Sequence, residues 1–158
     1  MYVFNLIKEI KSKYDTYCPY EICKSKDIAV VNKELAGGVK GFAVNVFEKY
    51  VILLDSNLSE TESRFTLAHE LGHIFLKHNL NVLFLTEKTM QVTDKFENAA
   101  NKFATILLLE NALENQFFNF YECLTAEDIS RLSAVPLIFV EENKDEISAV
   151  LKERIYYV

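Results

Sequence analysis

Residues 59–78 constrain this chain more than any other stretch, because they place all three of its histidines along one predicted helix. Ser59-Glu60-Thr61-Glu62 has the S-x-x-E form of a capping box, in which the Ser and Glu satisfy amides left open at a helix start. Neither Gly nor Pro interrupts the run before Gly72, and polar Lys77-His78-Asn79 closes it. On such a helix His69 and His73 lie about 40° apart and one turn along, so both imidazoles can converge on one metal ion. Glu70 stands about 100° from His69 and about 60° from His73. That is beside the ligands rather than among them, where a base can take a proton from water at the metal. With three histidines in 158 residues, H-E-x-x-H would arise by chance on the order of 0.006 times per chain. Leu67, Leu71, Ile74 and Phe75 gather about 140–240° from His69, so the helix turns its back to a core and its front to a cleft. His78 falls on the back and reads as a C-terminal histidine favoured by the helix dipole, not as a ligand.

Two protein nitrogens leave a catalytic zinc site one protein ligand short, since such a site takes three plus water. In the extended H-E-x-x-H-x-x-G-x-x-H pattern a third histidine completes the set. Here Leu76 stands at the Gly position and Asn79 at the His position. The remaining ligand is therefore a carboxylate or a thiolate downstream. The best carboxylate is Glu97, in the first turn of a second long helix predicted from Thr93 or Asp94 to about Leu109. Asn101 lies one turn behind Glu97 on the same face and can accept a hydrogen bond from a ligating imidazole. Thr66, one turn before Glu70, is a candidate hydroxyl behind the ligands. Tyr50, Tyr121 and Arg64 are candidate donors to a tetrahedral oxyanion, although Arg64 faces away, about 220° from His69.

The rest of the chain reads as one α+β domain spanning 1–158, a small antiparallel sheet followed by helices. Val3, Ile7, Ile10 and Tyr14 mark an amphipathic helix over residues 2–14, and a Cys/Pro/Lys-rich turn follows. Ile28 to Val31, Phe42 to Phe47 and Tyr50 to Leu54 read as strands, with Glu48-Lys49 closing a hairpin. The segment 35–41 holds three of the four glycines and reads as a loop. Residues 111–121 read as helical, Thr125 to Asp128 starts a short helix, and Pro136 starts another.

Composition narrows the function. Hydrophobic residues make up 50% and charged residues 25%, as in an ordinary globular protein. A net charge of −6 is the wrong sign for gripping phosphate backbones, so direct nucleic-acid binding is not expected. The longest apolar run, Ala104 to Leu109, is far short of a membrane helix, and the N-terminus lacks the pattern of a signal peptide. Cys18, Cys23 and Cys123 match no zinc or redox spacing and read as reduced residues of a cytoplasmic protein.

Arg64-Phe65-Thr66-Leu67-Ala68-His69-Glu70-Leu71-Gly72-His73, followed by Glu97-Asn98-Ala99-Ala100-Asn101-Lys102-Phe103-Ala104-Thr105-Ile106-Leu107-Leu108, resembles the ImmA/IrrE family of metallo-endopeptidases. The strand ending Ile52-Leu53-Leu54-Asp55 and the tail from Leu124-Thr125 to Val135-Pro136 are similar as well, so the resemblance covers roughly residues 25–140. It implies a minimal, gluzincin-like zincin fold, with His69, His73 and Glu97 holding Zn2+ and Glu70 as the catalytic glutamate. Members typically cleave, or relieve the action of, a helix-turn-helix repressor on a phage or mobile element. The chain departs from the family at Leu109-Glu110, where Pro is usual after the Leu pair, and at Ala99, where an acidic residue is common; neither removes a ligand or the base. Two other readings share these residues. One is a zinc-containing anti-repressor that sequesters the repressor without hydrolysis, and the other a protease toxin or stress regulator with another target. Glu70 favours hydrolysis, because structural zinc usually has four protein ligands and no use for an adjacent carboxylate.

Overall fold

The computed structural model describes residues 2–78, 90–114 and 124–155. In chain order these form α1 (Tyr2–Tyr14), α2 (Pro19–Ser25), β1 (Ala29–Lys33), β2 (Gly41–Val46) and β3 (Lys49–Asp55). The helices α3 (Glu60–Phe75), α4 (Met90–Glu114), α5 (Ala126–Ser133), α6 (Leu137–Glu142) and α7 (Lys144–Ile155) follow. The α+β class is as expected. Two local expectations change. The Cys/Pro/Lys-rich segment is the helix α2, because Pro19 sits in its first turn, where no N–H is missed, and Ile22 and Cys23 become buried. The second long helix begins at Met90, so Glu97 lies two turns inside it rather than at its N-terminus. The part of the expected 111–121 helix beyond Glu114 lies outside the described residues, as does Cys123.

The sheet has the order β1-β3-β2 and is mixed, not wholly antiparallel. β2 and β3 pair antiparallel in the register Gly41↔Leu54 to Val46↔Lys49. The turn is Phe47-Glu48, one residue earlier than expected. Both residues have positive φ, 49° and 64°, the hand that matches the twist of a two-residue hairpin. β1 adds in parallel to the other edge of β3, from Ala29↔Val51 to Lys33↔Asp55. This follows from the connection 34–40, whose Gly37 and Gly38 at φ 73° and 75° let the chain cross the end of β3 before β2 returns. Main-chain bonds from Asp55 N–H to Lys40 O (2.9 Å) and from Ser56 N–H to Lys33 O (3.2 Å) tie both ends of that arch to the strand exit.

Ile52 and Leu54 are fully buried on the face of the sheet that packs on α3, and Ala43 is buried there too. α4 is the centre of the helical layer. Ala100, Phe103, Ala104, Ile106, Leu107, Leu108, Leu109 and Leu113 are buried, and over residues 103–110 the helix is enclosed on every side, while Asp94, Lys95 and Asn98 nearer its start are exposed. Each large side chain so buried contributes about 1.5–3 kcal/mol relative to exposure. Glu110, the departure noted above, is also buried and forms an ion pair with Arg154, whose Nη1 also donates to Leu113 O at 3.2 Å. This acid fastens α7 to α4. None of the helices among the described residues is long and apolar enough to cross a membrane.

Candidate metal centre

The local sequence of α3 sets the site at both ends. At its start, the Ser59 side chain accepts the Glu62 N–H, and the Glu62 carboxylate accepts the Ser59 N–H at 3.1 Å, completing the expected capping box. The Ser59 N–H and hydroxyl, and then Lys40, hold the Glu62 carboxyl down at about 2. At its end the helix does not run on to His78. Lys77 adopts φ 58°, the Lys77 N–H donates to Ile74 O at 3.2 Å, and the His78 N–H donates to His73 O at 3.0 Å. These are the paired bonds of a Schellman stop, with a lysine where glycine is usual. The stop turns His78 back over the helix, so that its Nδ1 lies 2.8 Å from His73 Nδ1.

The partner element is α4, and Gly72 decides how near it comes. A Cβ at Gly72 would lie 3.1 Å from Ala100 Cα, 3.2 Å from Ala100 O and 3.2 Å from Phe103 Cβ. Only a glycine facing a small residue permits this approach. Ala100 is fully buried in the contact, and Glu97 and Asn101 on either side of it reach the histidines.

Three side chains meet there. His69 Nε2 and His73 Nε2 are 3.0 Å apart. Glu97 Oε2 lies 3.1 Å from His69 Nε2, and Oε1 lies 3.4 Å from His73 Nε2. In a tetrahedral site with bonds near 2.0–2.1 Å, ligand atoms are separated by about 3.3 Å, so these spacings suit one ion. Chemistry supports the same reading. Asn101 Oδ1 lies 2.8 Å from His69 Nδ1; an amide oxygen only accepts, so Nδ1 carries the proton and Nε2 presents a bare lone pair. That lone pair faces a carboxylate and another imidazole nitrogen, an arrangement that demands positive charge between them. Where a proton on Nε2 rather than a metal ion supplies that charge, burial opposes a charged His69, but donation from Nε2 to Glu97, with the charges of Glu70 and Glu97, outweighs burial and raises its pKa. Correspondingly, His69 and then His73 hold the Glu97 carboxyl far below the usual carboxylate range. His69, His73 and Glu97 are thus a trio able to hold a metal.

Glu70 points to the same cleft from beside the trio. It is buried, which pushes its pKa up, and it accepts a hydrogen bond from the Ala43 N–H of β2. The cleft, about 470 Å³, is lined by Gly41, Phe42 and Ala43 of β2, by Phe65, Thr66 and the site residues, and by Pro136 and Phe139. Thr66 lines it, and its methyl would be 2.7 Å from a Cβ at Gly41, so it sets the spacing between α3 and β2. Tyr50 and Arg64 are not among the lining residues; Arg64 acts electrostatically on Tyr20 instead. Tyr121 lies outside the described residues. Sequence reasoning missed two participants, the Ala43 N–H and His78. The wheel that put His78 on the back of α3 continued the helix past its actual end.

The sequence pattern of the IrrE N-terminal-like domain family matches residues 23–143. Uncharacterized immunity region protein 2 of Bacillus phage phi105 is 34% identical over 130 residues, covering 82% of this chain and 81% of the relative. Metallopeptidase ImmA of Bacillus subtilis (strain 168) is 27% identical over 152 residues, covering 95% and 88%. With a trio able to hold a metal and a buried glutamate on two packed helices, and this match across most of its length, the chain belongs to the IrrE N-terminal-like domain family of metallopeptidases.

Proposed function

We propose that this chain is a zinc-dependent endopeptidase of the cytoplasm, and that its substrate is a helix-turn-helix repressor of a phage or mobile element. The observation that carries the hydrolytic part is the convergence of His69, His73 and Glu97 beside the buried carboxylate of Glu70. Two imidazoles and one carboxylate lining a cleft are a donor set that would suit catalytic zinc. Zinc bound there supplies Lewis acidity, which makes water more acidic and a scissile carbonyl more electrophilic. Glu70 takes the proton of the attacking water and returns it to the leaving amine. The Ala43 N–H holds this carboxylate in place between the two steps. Asn101 keeps the proton of His69 on Nδ1, leaving Nε2 free for the ion.

The edge of β2 suits an extended peptide. Lys40 O bonds to Asp55 of β3, so by antiparallel alternation the main-chain groups of Gly41, Ala43 and Asn45 face outward. A substrate segment added along that edge gains main-chain hydrogen bonds from Gly41, Asn45 and the Ala43 carbonyl and passes Glu70, which keeps the Ala43 N–H. Support for the repressor as substrate comes from the phage immunity-region relative and from the activity typical of the family.

The test is incubation of the purified chain with a repressor encoded beside it, with and without chelator. Cutting should require metal. Glu70→Gln should keep zinc and fold but lose on the order of 10²–10⁴ in rate. Undiminished cutting by Glu70→Gln refutes the role of the base, whereas full relief of repression without cutting establishes a sequestering module instead.

A further inference from the structure

We infer that His78 is a positioning residue for the metal centre, accepting the Nδ1–H of His73 and so keeping that ring's Nε2 bare and aimed at Glu97 and His69. The inference rests on the reading that His69, His73 and Glu97 hold the metal. Its basis is independent of the Asn101 contact. The two Nδ1 atoms are 2.8 Å apart, so one donates and the other accepts. If His78 donated, the proton of neutral His73 would sit on Nε2, 3.0 Å from His69 Nε2 and 3.4 Å from Glu97 Oε1, in the place of a metal ion. Metal binding therefore requires the opposite polarity: His73 donates from Nδ1, and His78 accepts while holding its own proton on Nε2.

Three features hold His78 in that role. The Schellman stop at Lys77 fixes its backbone against His73 through the 3.0 Å bond from the His78 N–H. Lys77 adopts a left-handed conformation, unfavourable for a non-glycine residue, to make that turn. From the other side, the Phe96 ring lies 4.5 Å from the His78 ring, and Phe96 immediately precedes the ligand Glu97 on α4. Each ligating imidazole then has its own acceptor, Asn101 behind His69 and His78 behind His73. The helix terminator does the work that a carboxylate or carbonyl does behind other metal-bound histidines.

The experiment compares zinc affinity, by competition with a chromophoric chelator, for the parent, His78→Leu, His78→Asn and Glu97→Ala. Asn is the conservative variant, since its Oδ1 occupies the place of histidine Nδ1 and accepts the same proton. His78→Leu should bind zinc about 10–100-fold more weakly. His78→Asn should recover most of that loss, with metal-free thermal midpoints alike. Long-range ¹H–¹⁵N spectra of the zinc-loaded parent should show the proton of His73 on Nδ1 and that of His78 on Nε2. Parental affinity in His78→Leu, equal losses in Leu and Asn, or a proton on His78 Nδ1 would overturn the inference. If Glu97→Ala also binds like the parent, the ligand assignment falls with it; if only Glu97→Ala weakens, the role of His78 alone is refuted.

Discussion

Gly72→Ala tests whether the close approach of α3 and α4 is what builds the site. The added Cβ would meet Ala100 Cα at 3.1 Å and Ala100 O at 3.2 Å, both backbone atoms, and Phe103 Cβ at 3.2 Å. Ordinary contact needs roughly 3.5–4.0 Å, so α4 must retreat by several tenths of an ångström. Overpacking of this kind costs about 1–3 kcal/mol. Alanine returns about 0.8–1.0 kcal/mol through its better helix propensity. The metal-free protein should therefore lose between zero and about 2 kcal/mol, which at roughly 2–4 °C per kcal/mol is at most about 8 °C in Tm. The metal should report the change more strongly. Glu97 is one turn from Ala100 on the retreating helix, and metal sites tolerate only about ±0.2 Å in ligand distance. We expect zinc affinity to fall at least about tenfold, measured by chelator competition beside calorimetry of the metal-free form. A variant about 1 kcal/mol more stable with parental zinc affinity would refute the reasoning. It would show that α4 yields locally and that Gly72 does not set the position of Glu97.

Two more outcomes follow from the same geometry. Asn101→Leu removes the acceptor 2.8 Å from His69 Nδ1 and should weaken zinc binding about 10–100-fold, while Asn101→Asp, which still accepts, should do less harm; equal affinities in all three would make Asn101 a bystander. Glu62, held down at about 2 by Ser59 and Lys40, stabilises the start of α3 fully above its ordinary carboxylate range, and that contribution is lost as pH falls toward 2. The Tm gap between parent and Glu62→Ala, measured on metal-free protein, should be present at pH 7 and shrink below pH 4; a gap that stays constant with pH would contradict the charge-based cap.

What the amino-acid sequence makes legible is what depends on a few consecutive residues. The capping box at Ser59, the placement of His69 and His73 one turn apart, and the amphipathic run of α1 follow from helical spacing alone. The α+β class follows from short alternating strands preceding long helical patterns. The pairing of Glu97 with Asn101 was legible for the same reason: two residues four apart share a face wherever their helix begins, so misplacing its start by one turn left the pair intact.

Where segments far apart in sequence meet, the order of residues carried no such signal. The parallel seat of β1 beside β3 depends on a glycine-bearing arch that crosses a strand end, and strand alternation reads the same in either direction. The hydrogen bond from Ala43 to Glu70 is a backbone contact, which residue types do not encode. The role of His78 depends on one residue, Lys77, taking φ 58° where glycine is usual. On a continued helix His78 lies about 180° from His69; in the folded chain the stop brings its ring to His73. Local periodicity extrapolates an element as though it had no end, and here the tertiary packing of Phe96 and the turn at Lys77 decide where the last histidine points.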